Sequence, residues 1–540
     1  MEEKRRISDK FKEIFVGEDW VDTTKRALWY LFLVAFLGVY TVITDDKYFN
    51  ITRTRYEFFM FIAVMYSMLF FVLWIVGEVY KKMYHIRTSA ITTSTEKWYK
   101  RPEFWMEAFM LANIYSCLIS VSKRANPDGK LSIWEQHPSI AGQDARLMGL
   151  LTYMVIGILF LVIASGVKLH TWIFMVFSLS SLYAYVIAIF QHAGNDFMGY
   201  RERVSTPKIF ISTFGNINIF ASFLTMSVPI FICIFIFSKN KIYKAVTAIM
   251  TVLGAMCLLA SNSDSAFLGV AAAMVMIFIF AFKDGKAYEF VKTILMLAIG
   301  VMIQVFVNDA IDYKNNRGGI AEAIQNPVLV VGLMVVILII CVAMKMLITK
   351  KKDYFEELDR KKIIKYMLIT MTVCLVGIVV LFIVKMYPEF KFERKWGNYR
   401  GMIWNICIDI FDKAPMVNKV FGHGNETLRI LTVDGYYDEM IKYTKRVYDN
   451  AHNELLQYLV TLGLAGTISY LGLVISTFVY IIKNAAKRIV PYICLAAMTG
   501  YFVQSLVNLN QPITTPYFFL FMAIGIGYIK ESKKTEVQGD

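Results

Sequence analysis

Long apolar runs separated by short polar segments dominate the chain. A transmembrane helix needs about 20 apolar residues, and about fourteen runs approach this length. These candidate spans begin near Ala27, Phe58, Phe104, Leu147, Thr171, Ile211, Ala245, Ala266, Val291, Val328, Tyr366, Glu454, Ile489 and Tyr517. Because helices satisfy their own backbone hydrogen bonds in lipid, the pattern predicts an all-α polytopic membrane protein.

The segments between these runs predict how the chain is divided. We expect a cytoplasmic N-terminal segment over 1–26, transmembrane helices 1–11 over 27–386, a large extracytoplasmic loop over 387–453, helices 12–14 over 454–529 and a cytoplasmic tail over 530–540. The charged leader shows no small-residue cleavage site, so the first span is expected to remain in the protein. One membrane domain with one large loop is the simplest organisation.

Charge fixes the expected orientation. The chain is 57% apolar and 18% charged, with a net charge of +15. An even number of spans puts both termini on one side, where Lys and Arg are more frequent, as in KKKDYFEELDRKKIIK. The positive-inside rule makes that side cytoplasmic. The excess positive charge then reflects orientation and contact with the bilayer, and no nucleic-acid partner is expected.

The loop over 387–453 is unusually long for a connection in a compact domain, and such loops are usually functional or disordered. Its aromatic residues argue against disorder. Within it, YRGMIWNICIDIF has the pattern of an amphipathic helix. We expect this helix to rest on the membrane surface with its tryptophan at headgroup level.

Polar residues gather where the predicted spans reach the outer surface, while the span interiors carry almost no charge. This distribution disfavours an ion-coupled transporter, which usually keeps ionisable residues near the bilayer midplane. It favours an outward-facing site instead. The residues concerned are Arg201, Arg203, Asn216, Asn218, Asn262, Asp264, Arg400, His423, His452, Asn453, Glu454, Asn508, Asn510 and Gln511.

These residue types suit transfer of a glycosyl group from a lipid-linked pyrophosphate sugar. The imidazole of His452 could act as general base near pH 7. Arginine forks such as that of Arg400 match phosphate oxygens. Structural interpretations stay open: His452 could be an interfacial residue that caps the next helix, with Asn453 or Glu454 favourable in its first turn. Arg400 could extend to lipid headgroups, and His423 could belong to a tight turn.

Four motifs resemble those of the O-antigen ligase and polymerase family of bacterial membrane glycosyltransferases. FGNINIF is similar to the Gly-Asn-x-Asn element of that family, and LLASNSDSAFLG to its short outer turn. NYRGMIW, followed by AP and FGHG, resembles the Arg-x-x-x-Trp, Pro and Gly-x-Gly run of the large loop. AHNELLQYLVTLGLAG resembles the His-Asn segment and is the most specific of the four.

The resemblance implies a GT-C-like, inverting enzyme of the bacterial cytoplasmic membrane that acts on an undecaprenyl-pyrophosphate-linked oligosaccharide. His452 would be the base and Arg400 would bind pyrophosphate, without a cofactor or a metal ion. A polymerase is favoured over a ligase, and a chain-length regulator and a flippase are candidate partners. Further substrate-binding candidates are Arg201, Arg203, Asn216, Asn218, Asp264, Asn453 and Glu454.

The outer turn departs from the family pattern. Many relatives carry arginine directly after serine, whereas Ser263 is followed here by Asp264. Either Arg203 replaces that arginine, or Asp264 contacts the sugar or a cation. Two other classes remain open: a lipid-linked glycan flippase or exporter, which would tolerate loss of His452, and a non-enzymatic envelope assembly protein, in which neither His452 nor Arg400 would matter.

Overall fold

A computed structural model of the chain describes residues 20–83, 97–124, 138–143, 146–204, 210–313, 393–485 and 487–539, with isolated positions between 331 and 339. The predicted span from Tyr366 and nearly all of that from Val328 lie outside these residues, as does most of the predicted N-terminal segment.

Helices make up most of the described chain. Helix α1 covers Trp20–Leu33 and continues through a π-helical stretch, Val34–Val39, to Tyr40–Val42. The others are α2 Ile51–Met83, α3 Pro102–Leu118, α4 Pro138–Ala141, α5 Leu150–Ala164, α6 Ile173–His192, α7 Ile217–Phe237, α8 Lys241–Ser261, α9 Asp264–Lys283, α10 Ala287–Ala310, α11 Trp396–Lys413, α12 Met416–Phe421, α13 Leu428–Thr444, α14 Glu454–Thr461, α15 Gly463–Asn484, α16 Ile489–Ser505 and α17 Thr515–Gly539. Short 3₁₀ turns cover Trp98–Lys100 and Val121–Arg124.

Within the described residues, eight helices are long and apolar enough to cross a membrane: α1, α2, α6, α7, α8, α9, α10 and α15. Helices α5 and α16 are apolar but shorter. These properties agree with the predicted all-α membrane protein, while the count of 14 spans stays a prediction. Every predicted span inside the described residues contains a helix, but the span predicted from Glu454 is divided into α14 and α15, and only α15 is long and apolar enough to cross a membrane.

The span predicted from Ile211 begins later than its hydropathy indicates. A two-stranded antiparallel ladder, β1 Phe210–Ile211 with β2 Gly215–Asn216, comes first. Helix α7 then starts at Ile217, where the side chain of Asn216 accepts a hydrogen bond from the backbone N–H of Asn218. Apolarity alone does not distinguish a buried strand pair from the first turn of a helix.

Helix α7 lies at the centre of the bundle, and 94% of its most apolar window is buried, against 22% for α2. It packs against α8, α9 and α16, while α17 packs on α5 and α16, and α15 packs on α3. A helix that is apolar all round, as α7 is, can be buried on every side. Helix α2 leaves most of its apolar surface exposed at the edge of the bundle, as a lipid-facing helix does.

Helices α11, α12 and α13 belong to the region predicted as the large loop, and α11 confirms the helix expected from YRGMIWNICIDIF. Its expected position on the membrane surface is wrong. The apolar side packs inside the protein, and Trp404 is only 3% exposed. The cluster consists of Met402, Ile403, Trp404, Ile406, Cys407, Ile410, Leu428, Met440, Ala451, Leu456 and Val460. Apolar partners from α13 and α14 thus cover the face that lipid was expected to cover.

The turn FGHG packs against the junction of α14 and α15. His423 contacts the carbonyl of Val460 through its backbone N–H (3.2 Å) and through Nδ1 (3.0 Å). Gly424 donates from its N–H to the Thr461 carbonyl (2.9 Å) and the Ser116 hydroxyl (3.0 Å). His423 is therefore part of the loop structure, one of the roles that the sequence left open.

Candidate active site

The segment immediately before His452 makes hydrogen bonds to two residues that are distant in the sequence. Asp449 accepts two hydrogen bonds from Arg146, from Nη2 at 2.7 Å and from Nε at 3.2 Å. Asn450 donates from Nδ2 to Oδ1 of Asn510 at 3.4 Å. The segment is thereby attached both to the loop before α5 and to the loop after α16.

Ala451 fixes the backbone next to the histidine. Its N–H donates to Oε1 of Gln457 at 3.0 Å, and its carbonyl accepts from Nε1 of Trp404 at 3.0 Å. On the other side, Asn453 caps α14, because its side chain accepts a hydrogen bond from the N–H of Leu456 at 3.0 Å. The cap of α14 is therefore Asn453 and not His452, which was one of the roles that the sequence left open for the histidine.

His452 itself combines a rare backbone conformation with a buried ring nitrogen that has no partner. Its φ is 50°, and its N–H donates to Oδ1 of Asn450 at 2.8 Å. Nδ1 is buried and makes no hydrogen bond to any described residue. Non-glycine residues held at positive φ cluster at functional sites, and an unsatisfied buried polar atom calls for an explanation such as a catalytic role.

The surroundings favour the neutral imidazole. Burial, together with repulsion by Arg146 and Arg400, lowers the pKa of His452 to about 3, and the negative charge of Asp449 acts in the opposite direction. A neutral imidazole can accept a proton. An anion bound near the two arginines would offset their charge and raise this pKa, so the ring would become a stronger base when such a ligand is present.

Arg400 follows a strained turn. Gly397, Asn398 and Tyr399 have φ values of 59°, 59° and 69°, and regular helix follows from Arg400. Burial lowers the pKa of Arg400, and the negative charge of Asp264 opposes that shift. Arg400, Asp264 and His452 come from three separate segments, and Arg400 interacts electrostatically with each of the other two.

The Asn-x-Asn element and NLNQP also meet at this end of the bundle. The backbone carbonyl of Asn218 accepts a hydrogen bond from Nδ2 of Asn508 at 2.9 Å. The Oδ1 atom of Asn216 is occupied by the N–H of Asn218 at 2.7 Å. Capping and helix connection therefore account for these contacts, and substrate binding by Asn216 or Asn218 stays a prediction.

Arg201 and Arg203 make other contacts than those expected. Arg201 donates from Nε and Nη2 to the carbonyl of Phe210 (2.9 and 2.6 Å) and from Nη1 to that of Gln191 (2.8 Å). Arg203 pairs with Asp46 at 2.9 Å, and its side chain is 67% exposed. Arg201 thus closes a loop with its whole guanidinium group, and no described contact joins Arg203 to His452 or Arg400.

Glu454 lies inside the protein and is 1% exposed. Its carboxylate accepts hydrogen bonds from the hydroxyls of Tyr458 (2.8 Å) and Tyr470 (3.1 Å). The Tyr458 hydroxyl also contacts that of Tyr153 (3.3 Å), which accepts from Asn510 (2.7 Å). These contacts make Glu454 part of a buried network under the site, and they leave its predicted contact with substrate without support.

Two ionisable residues of the site were not predicted from the sequence. Arg146 precedes α5 and is 303 positions from its partner Asp449, too far for any local pattern to reveal the pair. Glu426 has a left-handed φ of 58° and is 5% exposed. Burial raises the pKa of Glu426 to about 8, although Arg146 acts in the opposite direction. Only its place in FGHGNE, a motif otherwise explained by its glycines, could have drawn attention to Glu426.

Among the residues that the structure describes, no group of three or more His, Cys, Asp or Glu side chains could hold a metal ion. The predictions of a metal-independent and cofactor-free site are not tested by this observation. The donors and acceptors present are arginine, histidine, carboxylate and amide groups, which suit binding of anions and sugars.

The fold and the site define a helical membrane protein with a polar, arginine-flanked histidine at one end of its bundle. A family model described as O-antigen ligase matches residues 328–471, the region that contains Arg400 and His452. The match confirms the resemblance to the O-antigen ligase and polymerase family and supports glycan transfer of that general kind. No curated protein sequence matches the chain.

Proposed function

We propose that the protein is an inverting glycosyltransferase that uses an undecaprenyl-pyrophosphate-linked oligosaccharide as donor on the outer leaflet of the bacterial cytoplasmic membrane. Both termini would then be cytoplasmic, and the region over 387–453 would lie outside. The acceptor is most simply a second lipid-linked repeat unit, so that the enzyme polymerises a surface polysaccharide. A flippase that delivers the donor and a chain-length regulator would be its partners.

His452 and Arg400 can account for the proton transfer and for the charge on the leaving group. His452 removes the proton from an acceptor hydroxyl while the oxygen attacks the anomeric carbon. The new carbon–oxygen bond forms as the bond to pyrophosphate breaks, on the opposite face of the sugar, and the electron pair leaves with the phosphate. Arg400 stabilises the negative charge that develops there. The proton then passes from the imidazolium to solvent or to the leaving pyrophosphate.

One observation carries this proposal. The three residues before His452 are anchored by Arg146, Asn510, Trp404 and Gln457, while its own Nδ1 is buried and has no partner among the described residues. A residue that merely filled space would not need such support around an unsatisfied nitrogen. A catalytic base needs both a fixed position and a free lone pair.

The test is the length distribution of lipid-linked glycan in a deletion strain that carries an empty vector, the wild-type gene or His452→Ala. Single repeats should accumulate with the vector and with His452→Ala, whereas the wild type should give long polymer. His170→Ala serves as the matched control, since this exposed histidine lies between α5 and α6, away from the site. Variants are compared at equal amounts of membrane-inserted protein.

Other outcomes of this experiment would distinguish the alternative functions. Long polymer that accumulates on the lipid carrier without the gene would identify a ligase that transfers finished glycan to another acceptor. Full polymer length with inserted His452→Ala would exclude this histidine as base and favour the exporter or assembly-protein alternatives.

A further inference from the structure

Arg146 provides a second positive charge beside His452. Its side chain is 12% exposed, and Asp449 holds two of its three guanidinium nitrogens, Nε and Nη2. Its third nitrogen, Nη1, makes no hydrogen bond to a described residue and is not among the buried unsatisfied atoms. Arg146 is therefore fixed in direction by Asp449 and retains donors that a ligand can reach.

The loop that carries Arg146 is itself held in place. The backbone N–H of Arg146 donates to the carbonyl of Gln143 at 2.8 Å, and Nε2 of Gln143 donates to the carbonyl of Glu426 at 2.9 Å. The nearby carboxyl of Glu426 has a pKa raised to about 8 by burial. At neutral pH it is largely uncharged, so it neutralises little of the positive charge of Arg146.

We propose that Arg146 is a second phosphate-binding residue of the donor site, with Asp449 orienting its guanidinium group and Nη1 free to contact phosphate oxygens. This proposal rests on the proposed function. The outer turn has Asp264 where many relatives have arginine. In this proposal, Arg146, in the loop before α5, supplies the positive charge that the turn lacks. Arg203, one of the two substitutes that the sequence left open, pairs instead with Asp46.

Two arginines flanking one histidine make chemical sense for this donor. Pyrophosphate has two phosphoryl groups, and Arg146 and Arg400 could each contact one. Both arginines act on the charge of His452, so a pyrophosphate between them would lie near the base. Donor binding would then place the leaving group and strengthen the base in the same step.

The experiment measures binding rather than turnover. Full-length protein carrying His452→Ala, which cannot consume the donor, is placed in lipid nanodiscs and titrated with undecaprenyl pyrophosphate. Adding Arg146→Ala should weaken binding by about 10-fold or more, the value of one charge-assisted hydrogen bond. The affinity of the Arg146→Lys variant should lie between that of the His452→Ala parent and that of the Arg146→Ala variant, because lysine keeps the positive charge but lacks the forked guanidinium group. Adding Arg203→Ala should leave binding unchanged.

Asp449→Asn separates phosphate binding from mere anchoring. It keeps the arginine but weakens the bond that orients it, so binding should fall much less than with Arg146→Ala. Equal losses from the two variants, or no loss with Arg146→Ala, would overturn the proposal. The proposal would also be overturned if Arg203→Ala weakened lipid pyrophosphate binding and Arg146→Ala did not. A different result would show that the proposed donor itself is wrong: neither the His452→Ala parent nor the same parent with Arg400→Ala added binds undecaprenyl pyrophosphate.

Discussion

At the scale of single residues, the site depends on how protein charges act on one imidazole. Burial and two guanidinium groups hold the pKa of His452 well below its usual range. This favours a neutral ring before the donor arrives. A dianionic ligand beside the arginines would remove much of that repulsion, and the ring would gain basicity when the acceptor must be deprotonated.

Glu426 gives a pH-dependent stability. Its pKa rises from 4.5 to about 8 in the folded protein, so between these values the folded state keeps a proton that the unfolded state releases. Stability from this group is fully present below pH 4.5 and is lost as the pH rises toward 8. Glu426→Gln should flatten the fall in melting temperature between pH 5 and 8, as followed by tryptophan fluorescence in nanodiscs.

The matched control for this prediction is Glu439→Gln, a substitution in α13 whose side chain is 36% exposed. Because this substitution changes a partly exposed carboxyl, comparison with Glu426→Gln isolates the effect of burying the carboxyl. A Glu426→Gln variant with the same slope as the wild type would show that Glu426 does not retain its proton on folding.

At the scale of secondary-structure elements, the backbone of the FGHG turn lies very close to the backbone at the junction of α14 and α15. Gly463 has φ of 67°, and a Cβ there would lie 2.5 Å from the backbone nitrogen of Gly422. Gly422 also has a left-handed φ, 77°. Glycine at both positions lets the FGHG turn pack directly on the helix junction that follows His452.

Gly463→Ala should therefore destabilise the protein by about 2 kcal/mol or more, since it adds both a backbone clash and a strained φ. Thermal unfolding in nanodiscs provides the measurement. Gly435→Ala is the control: this glycine lies in α13, and a Cβ there meets nothing within 4 Å. Alanine should be neutral or stabilising by about 1 kcal/mol in such a helix. Similar melting temperatures for the two variants would contradict the packing argument.

At the scale of the whole molecule, the polar residues meet at one end of a largely apolar bundle. The start of α7, the end of α16 and the segment before α14 are joined by side-chain hydrogen bonds of Asn508 and Asn510. Helices α11–α13 pack over the same region through the apolar cluster that includes Trp404 and Ala451. The proposed function requires this end to face away from the cytoplasm.

Single cysteines can test that orientation, because the native cysteines in the described residues are buried. Tyr437→Cys, at a side chain 48% exposed in α13, should react with a membrane-impermeant maleimide on intact spheroplasts. Lys534→Cys in α17, at a side chain 63% exposed, should react only after lysis. The reverse labelling pattern would place the site in the cytoplasm and exclude the proposed outer-leaflet donor.

The sequence predicted the elements better than their contacts. Helix α11 is an example: its amphipathic pattern identified the helix, but the pattern could not tell whether protein or lipid covers its apolar face. Arg201 and Arg203 are a second example, because their nearby positions in one loop suggested that both bind substrate. Arg201 instead binds two backbone carbonyls, and Arg203 pairs with an aspartate before α2.

By itself the sequence determined the class of the protein, since apolar runs of membrane-spanning length and the periodicity of α11 depend on nearby residues only. It also supplied the motifs around Arg400 and His452. The tertiary structure alone decided which charges surround the histidine: Arg146 and Asp449 meet across 303 positions, and Glu426 becomes buried beside them. Such pairings depend on the packing of helices distant in the chain, which no local pattern encodes.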